Sequence, residues 1–281
     1  MSSVVRPSDL AEALQLRAGG YKLLAGGTDL YPTASAILRG NFVDLTRLAA
    51  LQGITFNNGL RIGACTTWRD IAEARLPPAL ISLQQAAIVV GGRQIQNAGT
   101  IGGNLCNASP AGDSVPALAA ADAVARISGP NGERDVPALD VAVSPGKTRL
   151  AKGEFVTSIF LPARPAHAGD AYLRFIPRTE MDIAVCSAGV NLVLDASGTI
   201  TAARVALGAV APVVLLVEAA AAAIIGSKLD AAALVRLAKA AEAACRPISD
   251  KRGTVEFRTE VAGVLTRRAA TIAYARARAA K

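Results

Sequence analysis

The chain has 281 residues, 52% of them hydrophobic and 4% aromatic, with a formal net charge of +8 and a pI near 9.7. That length and apolar content exclude a disordered chain and allow one large domain or two modest ones. Its Lys and Arg residues are spread along the sequence without interleaved aromatics, so the charge points to solvated surface and an acidic protein partner, with no nucleic acid.

Cys65, Cys106, Cys186 and Cys245 contain no CxxC pair, which argues against a zinc site or a protein-held iron–sulfur cluster and suits four thiols in a reducing cytosol. The opening MSSVVRPSDLAEAL lacks a basic start followed by an apolar stretch, so no secretory signal is expected. The most apolar later run, Val210 to Ile225, is broken by Pro212 and Glu218 and is too short for a membrane span. The expected product is soluble and cytoplasmic.

In chain order, Ser8 or Asp9 can cap a helix carrying Leu10, Leu14 and Leu16. Lys22-Leu23-Leu24-Ala25 reads as a strand that stops at Gly26-Gly27-Thr28-Asp29. Leu30, Ala34, Ile37 and Leu38 then recur at helical spacing. Short strands are expected at Phe42–Leu45 and Leu60–Ala64, with Thr66 or Thr67 capping a helix that holds Trp68 and Ile71, and another helix at Leu80–Val90. Residues 91–114, GGRQIQNAGTIGGNLCNASPAGDS, read as an ordered loop.

A helix follows at Pro116–Ala121, and Val124–Ile127 with Arg134–Val136 flank Gly129-Pro130-Asn131-Gly132 as a hairpin would. A strand fits Phe155–Leu161. Pro162, Pro165 and Gly169 around His167 mark a domain boundary, giving units at residues 1–168 and 169–281. Beyond it, Ile183–Leu194 and Thr199–Val210 are β-like runs joined by Asp195-Ala196-Ser197-Gly198. Helical segments follow from Val214, at Ala231–Cys245 and beyond Val255, so the fold class is α+β.

Two glycine-rich turns stand out, Ala25-Gly26-Gly27-Thr28-Asp29 and Thr100-Ile101-Gly102-Gly103-Asn104; each alone reads as a plain tight turn or a phosphate-binding one, and the pair together favours phosphate. A pyrophosphate needs several N–H donors at close range, and only residues without bulk let the main chain come that near. The first turn is not a Rossmann fingerprint, since GxGxxG is absent after Ala25, and it lacks the Lys-Ser/Thr ending of a P-loop, which weakens a simple NAD-binding or ATPase reading. Asn107, Ser109 and Asp113 share the second loop system, where Asp113 can accept a bond from a ribose or ribityl hydroxyl or else cap the following helix. Arg174, Arg178 and Asp182 are open to phosphate, flavin or salt-bridge roles. His167, the single histidine, sits among Pro, Ala and Gly as a surface residue, which disfavours a Ser-His-Asp hydrolase and a histidine-rich metal site.

LLAGGTDL, TIGGNLCNASPAGD, MDIAV and PISDKRGTVEFR, in this order and spacing, resemble the FAD-binding medium subunits of molybdenum hydroxylases. The resemblance runs nearly end to end. It implies an N-terminal FAD-binding domain of the vanillyl-alcohol-oxidase (PCMH-like) type and a smaller C-terminal domain of antiparallel sheet and helices. It also implies noncovalent FAD held by Lys22, Leu23, Leu24, Ala25, Gly26, Gly27, Thr28 and Asp29 on one side and by Thr100, Ile101, Gly102, Gly103 and Asn104 on the other. Asp113 then binds a sugar hydroxyl, Phe155 gives an apolar contact, and Arg174 stands where the family commonly has Lys.

The implied partners are a large subunit with the molybdenum cofactor and a small subunit with two-iron two-sulfur clusters, an assembly that allows a dimer of heterotrimers. Electrons then pass through the flavin to NAD or another acceptor, and no residue of this chain acts as a proton-transferring catalyst. The branch similar to the 4-hydroxybenzoyl-CoA reductase middle subunit has an extra cysteine-bearing insertion that this chain lacks. A stand-alone flavin oxidase needs its own base above the flavin, and a scaffold that has lost FAD is expected to lose the glycine turns; the sequence offers no such base and keeps both turns.

Overall fold

The structure, a computed structural model, describes residues 3–33, 38–178 and 182–280. Its first layer is a small parallel sheet of β1 (Ser3–Val5), β2 (Lys22–Leu24) and β3 (Asn41–Asp44), in the order β1-β3-β2. Between these strands run α1 (Leu10–Ala18) and α2 (Leu30–Thr33). Asp9 caps α1 by accepting the Glu12 N–H at 2.8 Å, which ties up a donor that the first helical turn leaves free. Ala34 and Ile37, expected to continue α2, lie outside the described residues.

The second layer is antiparallel. β4 (Ile54–Phe56), β5 (Gly59–Gly63), β6 (Val124–Gly129) and β7 (Gly132–Pro137) precede a two-stranded ribbon of β8 (Ala142–Ser144) and β9 (Lys147–Thr148). β10 (Phe155–Pro162) then enters the middle, giving the order β4-β5-β10-β6-β7. Between β5 and β6 the chain makes α3 (Trp68–Glu73), α4 (Ile81–Val89), α5 (Arg93–Ala98), α6 (Ile101–Asn107) and α7 (Ser114–Ala120). Thr67 starts α3 with a capping box, exchanging bonds with Asp70. Leu60, Ile62, Trp68, Ile101, Leu105, Leu118 and Ile159 close the core beneath.

Residues 91–114 differ from the sequence expectation: they hold α5, α6 and the start of α7 in place of an ordered loop. The glycines there serve close approach. A Cβ on Gly102 would lie 2.7 Å from the Ala64 carbonyl oxygen and from the Ala64 Cβ, so α6 can pack on β5 only with glycine at that point. Thr100 caps α6 by accepting the Gly103 N–H at 3.1 Å.

The third layer is the antiparallel sheet β11 (Ala168–Phe175), β12 (Cys186–Leu194), β13 (Ile200–Gly208) and β14 (Leu215–Leu216), in that order. α8 (Glu218–Ala222), α9 (Ala231–Ala244) and α10 (Val255–Ala279) pack with it into a separate core built from Val190, Leu192, Val205, Leu207, Leu237 and Ala273. β12 is buried at almost every position because both its faces are covered. A Cβ on Gly189 would lie 2.4 Å from the Pro116 carbonyl oxygen in α7, while α10 packs against the same strand. β11 had no sequence expectation. Its Gly169 sits so close to α10 that a Cβ would lie 2.3 Å from the Ala273 carbonyl oxygen, and its Asp170 is fully buried. Among the described residues no helix is long and apolar enough to cross a membrane.

Candidate functional site

β2 delivers the chain into the turn Ala25–Asp29, and two glycines there are sterically required. A Cβ on Gly26 would lie 1.8 Å from the Ala98 carbonyl oxygen, at the end of α5. Gly27 has φ +70°, and a Cβ there would lie 2.3 Å from the Tyr31 ring. Among the described residues, the N–H groups of Gly26, Gly27, Thr28 and Asp29 donate to no acceptor within the chain. Four consecutive main-chain donors without an acceptor leave hydrogen-bonding capacity of the kind that anions take up, and no cationic side chain lines the cleft among the described residues.

The second turn is built differently. The N–H of Ile101 donates to Thr66 O at 3.1 Å, that of Gly102 to Ala64 O at 2.9 Å, and that of Asn104 to Thr100 O at 3.0 Å. With the Gly103 N–H given to Thr100, this turn offers shape and the Asn104 side chain in place of free amides. Asn104 Oδ1 accepts from the Ser114 hydroxyl at 2.7 Å, which leaves its amide N–H₂ as the donor. Asn107 Nδ2 donates to Asp29 Oδ1 at 3.1 Å and links the two turns across the opening.

A cleft of about 580 Å³ lies between the turns. Leu23, Leu24, Ala25, Gly26, Gly27, Thr28 and Asp29 line one side, Thr100, Gly102, Gly103 and Asn104 the other, and Phe155 with Val156 the inner wall. A second hollow of about 570 Å³ adjoins it, and Ala25, Gly26, Cys65 and Thr100 line both. The second hollow carries polar side chains, among them Thr46, Gln52, Asp70 and Asn97. The start of the glycine turn, Ala25 and Gly26, therefore borders both lobes of the space, while Gly27, Thr28 and Asp29 line the first lobe. That arrangement fits a dinucleotide, whose phosphates lie between two bulky ends.

Four of the sequence candidates do not line this space. Ile101 is fully buried beneath it. Lys22 is exposed, its ammonium 5.8 Å from the centre of the Phe42 ring. Asp113 and Arg174 pair with each other: Arg174 Nη1 donates to Asp113 Oδ2 at 2.9 Å, and the Tyr172 hydroxyl donates to Oδ1 at 2.6 Å. Asp113 precedes α7 without capping it. Burial raises its carboxyl above the usual carboxylate range, although Arg174 and Tyr172 pull the other way. Burial, and then the neighbouring Asp113, holds the Tyr172 phenol well above its ordinary value. Arg178 pairs with Asp182 at 3.0 Å on the surface.

Sequence reasoning missed Leu45, Ala64, Trp68 and the two thiols Cys65 and Cys106 as cleft-lining groups. Burial pushes each of these thiols up to about 12, so both are neutral at pH 7. Asp29 is the one acidic side chain on the cleft wall among the described residues.

The family model described as the FAD binding domain in molybdopterin dehydrogenase matches residues 1–164, and that of the CO dehydrogenase flavoprotein C-terminal domain matches residues 171–273. The carbon monoxide dehydrogenase medium chain of Afipia carboxidovorans is 34% identical, over 97% of this chain and 96% of its own. A putative xanthine dehydrogenase FAD-binding subunit of Escherichia coli is 32% identical, over 98% and 97%. A solved structure, reconstituted CO dehydrogenase from Oligotropha carboxidovorans, superposes with a TM-score of 0.92 at 33% identity, covering 98% of each chain. An α+β chain with an FAD-binding domain followed by an antiparallel C-terminal domain is a flavoprotein subunit of an oxidoreductase. The chain belongs to the FAD-binding medium subunits of the molybdenum hydroxylase family, of the carbon monoxide and xanthine dehydrogenase type.

Proposed function

We propose that this chain is the electron relay of a molybdenum hydroxylase. Its partners are a large subunit that carries the molybdenum cofactor and a small subunit that carries two-iron two-sulfur clusters, in a heterotrimer that can pair into a dimer of heterotrimers. Residues 1–168 hold noncovalent FAD, residues 169–281 brace that unit, and NAD or another acceptor takes the electrons away. The observation that supports this reading is the run of four free N–H groups at Gly26–Asp29 along one wall of the cleft, its first residue also bordering the adjoining hollow. When bound, FAD supplies the ability to take electrons singly and release them singly or as a hydride.

The chain's own residues bind and position. The amides of Gly26 to Asp29 meet phosphate oxygens, and the Asn104 amide donates from across the cleft. Asn107 holds the Asp29 carboxylate to one side of the turn. Phe155, Val156, Leu45 and Trp68 keep water from the inner wall. With both cleft thiols neutral, no side chain there is poised to move a proton near pH 7, which suits electron relay more than acid–base catalysis.

The test is to purify the chain with its partner subunits, record the visible spectrum, identify the cofactor released on denaturation, and measure NAD reduction by the complex. Released FAD at one per chain supports the reading. An assembled, substrate-reducible complex without flavin would make the chain a scaffold, and a flavin-loaded complex that reduces dyes but not NAD would assign a different acceptor.

A further inference from the structure

A second groove, also about 580 Å³, lies where four parts of the chain converge: the β4–β5 turn at Phe56–Leu60, the segment Pro77–Leu80, residues 163–168 that join the two cores, and Ala280 just past α10. It shares no lining residue with the flavin cleft. Its walls are mainly apolar, and Phe56 is 57% exposed at its edge.

One charged group on the groove is under-compensated. Arg164 lines it, and its Nε is buried with no hydrogen-bond partner. Its Nη2 donates to Asn191 Oδ1, a neutral acceptor. Among the described residues no carboxylate lies within 4.0 Å of it: Asp122 is paired with Arg204, and Asp170 Oδ2 accepts the Ser82 N–H while its buried Oδ1 has no hydrogen-bond partner. Burial pushes the guanidinium below its usual range; the Asp122 charge opposes that shift, the Arg204 charge adds to it, and the Asp170 charge opposes it again. A partly buried guanidinium with an unbonded Nε and no carboxylate in ion-pair contact is incompletely compensated, and its fork matches a carboxylate.

We propose that this groove binds a small organic carboxylate with an apolar body, the carboxylate meeting Arg164 and the body lying against Phe56, Leu60 and the Pro77–Pro78 pair. A hydrated inorganic anion fits less well. The walls would strip its water, and one arginine replaces few of the lost bonds. Because the groove is separate from the cleft, binding leaves flavin content unchanged.

The test is calorimetric titration of the assembled, flavin-loaded complex with benzoate, its neutral isostere benzamide, and inorganic phosphate. The expected result is one saturable benzoate site per chain, with benzamide and phosphate at least about tenfold weaker. Arg164→Gln should weaken benzoate at least about tenfold with full flavin retained. Ala166→Glu places a carboxylate on an exposed position of the groove and leaves the Arg164–Asn191 bond alone; it should also abolish binding, which keeps the test valid if Arg164→Gln fails to fold. Equal binding of benzoate and benzamide, or benzoate binding unaffected by Ala166→Glu, would overturn the proposal. So would an absence of benzoate binding, and if the two variants then shed a partner subunit, the groove is a protein contact instead.

Discussion

Gly26→Ala puts the first glycine turn under direct test. The added methyl would start 1.8 Å from the Ala98 carbonyl oxygen, 2.5 Å from its carbon and 2.9 Å from the Gly99 nitrogen. An unstrained C···O contact needs about 3.4 Å, so roughly 1.5 Å of separation must open between the turn and the end of α5. All three partners are main-chain atoms, so no rotamer change can relieve the overlap. Overpacking of this kind costs about 1–3 kcal/mol, which in a chain of this size lowers Tm by about 2–12 °C. The displaced turn also misaligns the Gly26–Asp29 amides. Losing two charge-assisted bonds of about 1.5–3 kcal/mol each weakens FAD by a factor on the order of 10² to 10⁴. Gly226→Ala is the companion variant: φ is +81° with open space around it, so it adds about 1–2 kcal/mol of backbone strain far from the cleft. The assays are flavin-to-protein ratio after gel filtration and thermal unfolding. Gly26→Ala should lose flavin and stability together, Gly226→Ala stability alone. A Gly26→Ala protein with full flavin and unchanged Tm would refute the steric reasoning.

Arg174→Met strands Asp113 as a buried, unpaired carboxylate and should cost about 3–5 kcal/mol in denaturant unfolding, part of it recovered in the Asp113→Asn/Arg174→Met double variant. The Arg134 guanidinium beside Glu154 holds that carboxyl down at about 2, below its ordinary 4.5, so its stabilisation is present above the unfolded value and is lost as pH falls towards the folded one. Glu154→Gln should therefore flatten the Tm-versus-pH slope below about pH 5 and leave it unchanged above about pH 6. Thr67→Ala removes the capping box of α3 and should cost about 1 kcal/mol in the same unfolding measurement. Cys65 and Cys106, pushed to about 12, should resist iodoacetamide at pH 8 in the folded protein, where about one thiol in ten thousand is ionised, and mass spectrometry of the alkylated sites reads this directly.

Local chemistry made much of the fold legible in the sequence. Ser8 or Asp9 and Thr66 or Thr67 announce α1 and α3, where Asp9 and Thr67 prove to be the caps, and Gly129 to Gly132 announces the β6–β7 hairpin. What stayed hidden depended on contacts distant in sequence. Glycine in residues 91–114 suggested a loop, but Gly102 is there so that a helix can touch Ala64. β11 lacks strand-like alternation because Gly169 meets α10 and Asp170 caps the α4 region from inside the core. The same holds at the site. The two glycine turns were visible, whereas Trp68, Cys65 and Cys106 reach the cleft only through the sheet order, and the free amides lie on one turn alone. Asp113 has the composition of a ligand residue, yet its carboxylate is taken up by Tyr172 and Arg174, 59 and 61 residues away.

That pairing bears on how such chains can be recombined. The loop between the second glycine turn and α7 owes its position to two side chains of β11, so the glycine turns and the third layer form one unit of exchange. A chimaera joined at residue 168 would keep every cleft-lining residue and still lose the register of that loop unless its new partner supplied a matching Tyr and Arg. Swaps between related subunits should succeed when they carry the whole chain through α10, and breakpoints in the apparent linker should be selected against despite its prolines and its exposure.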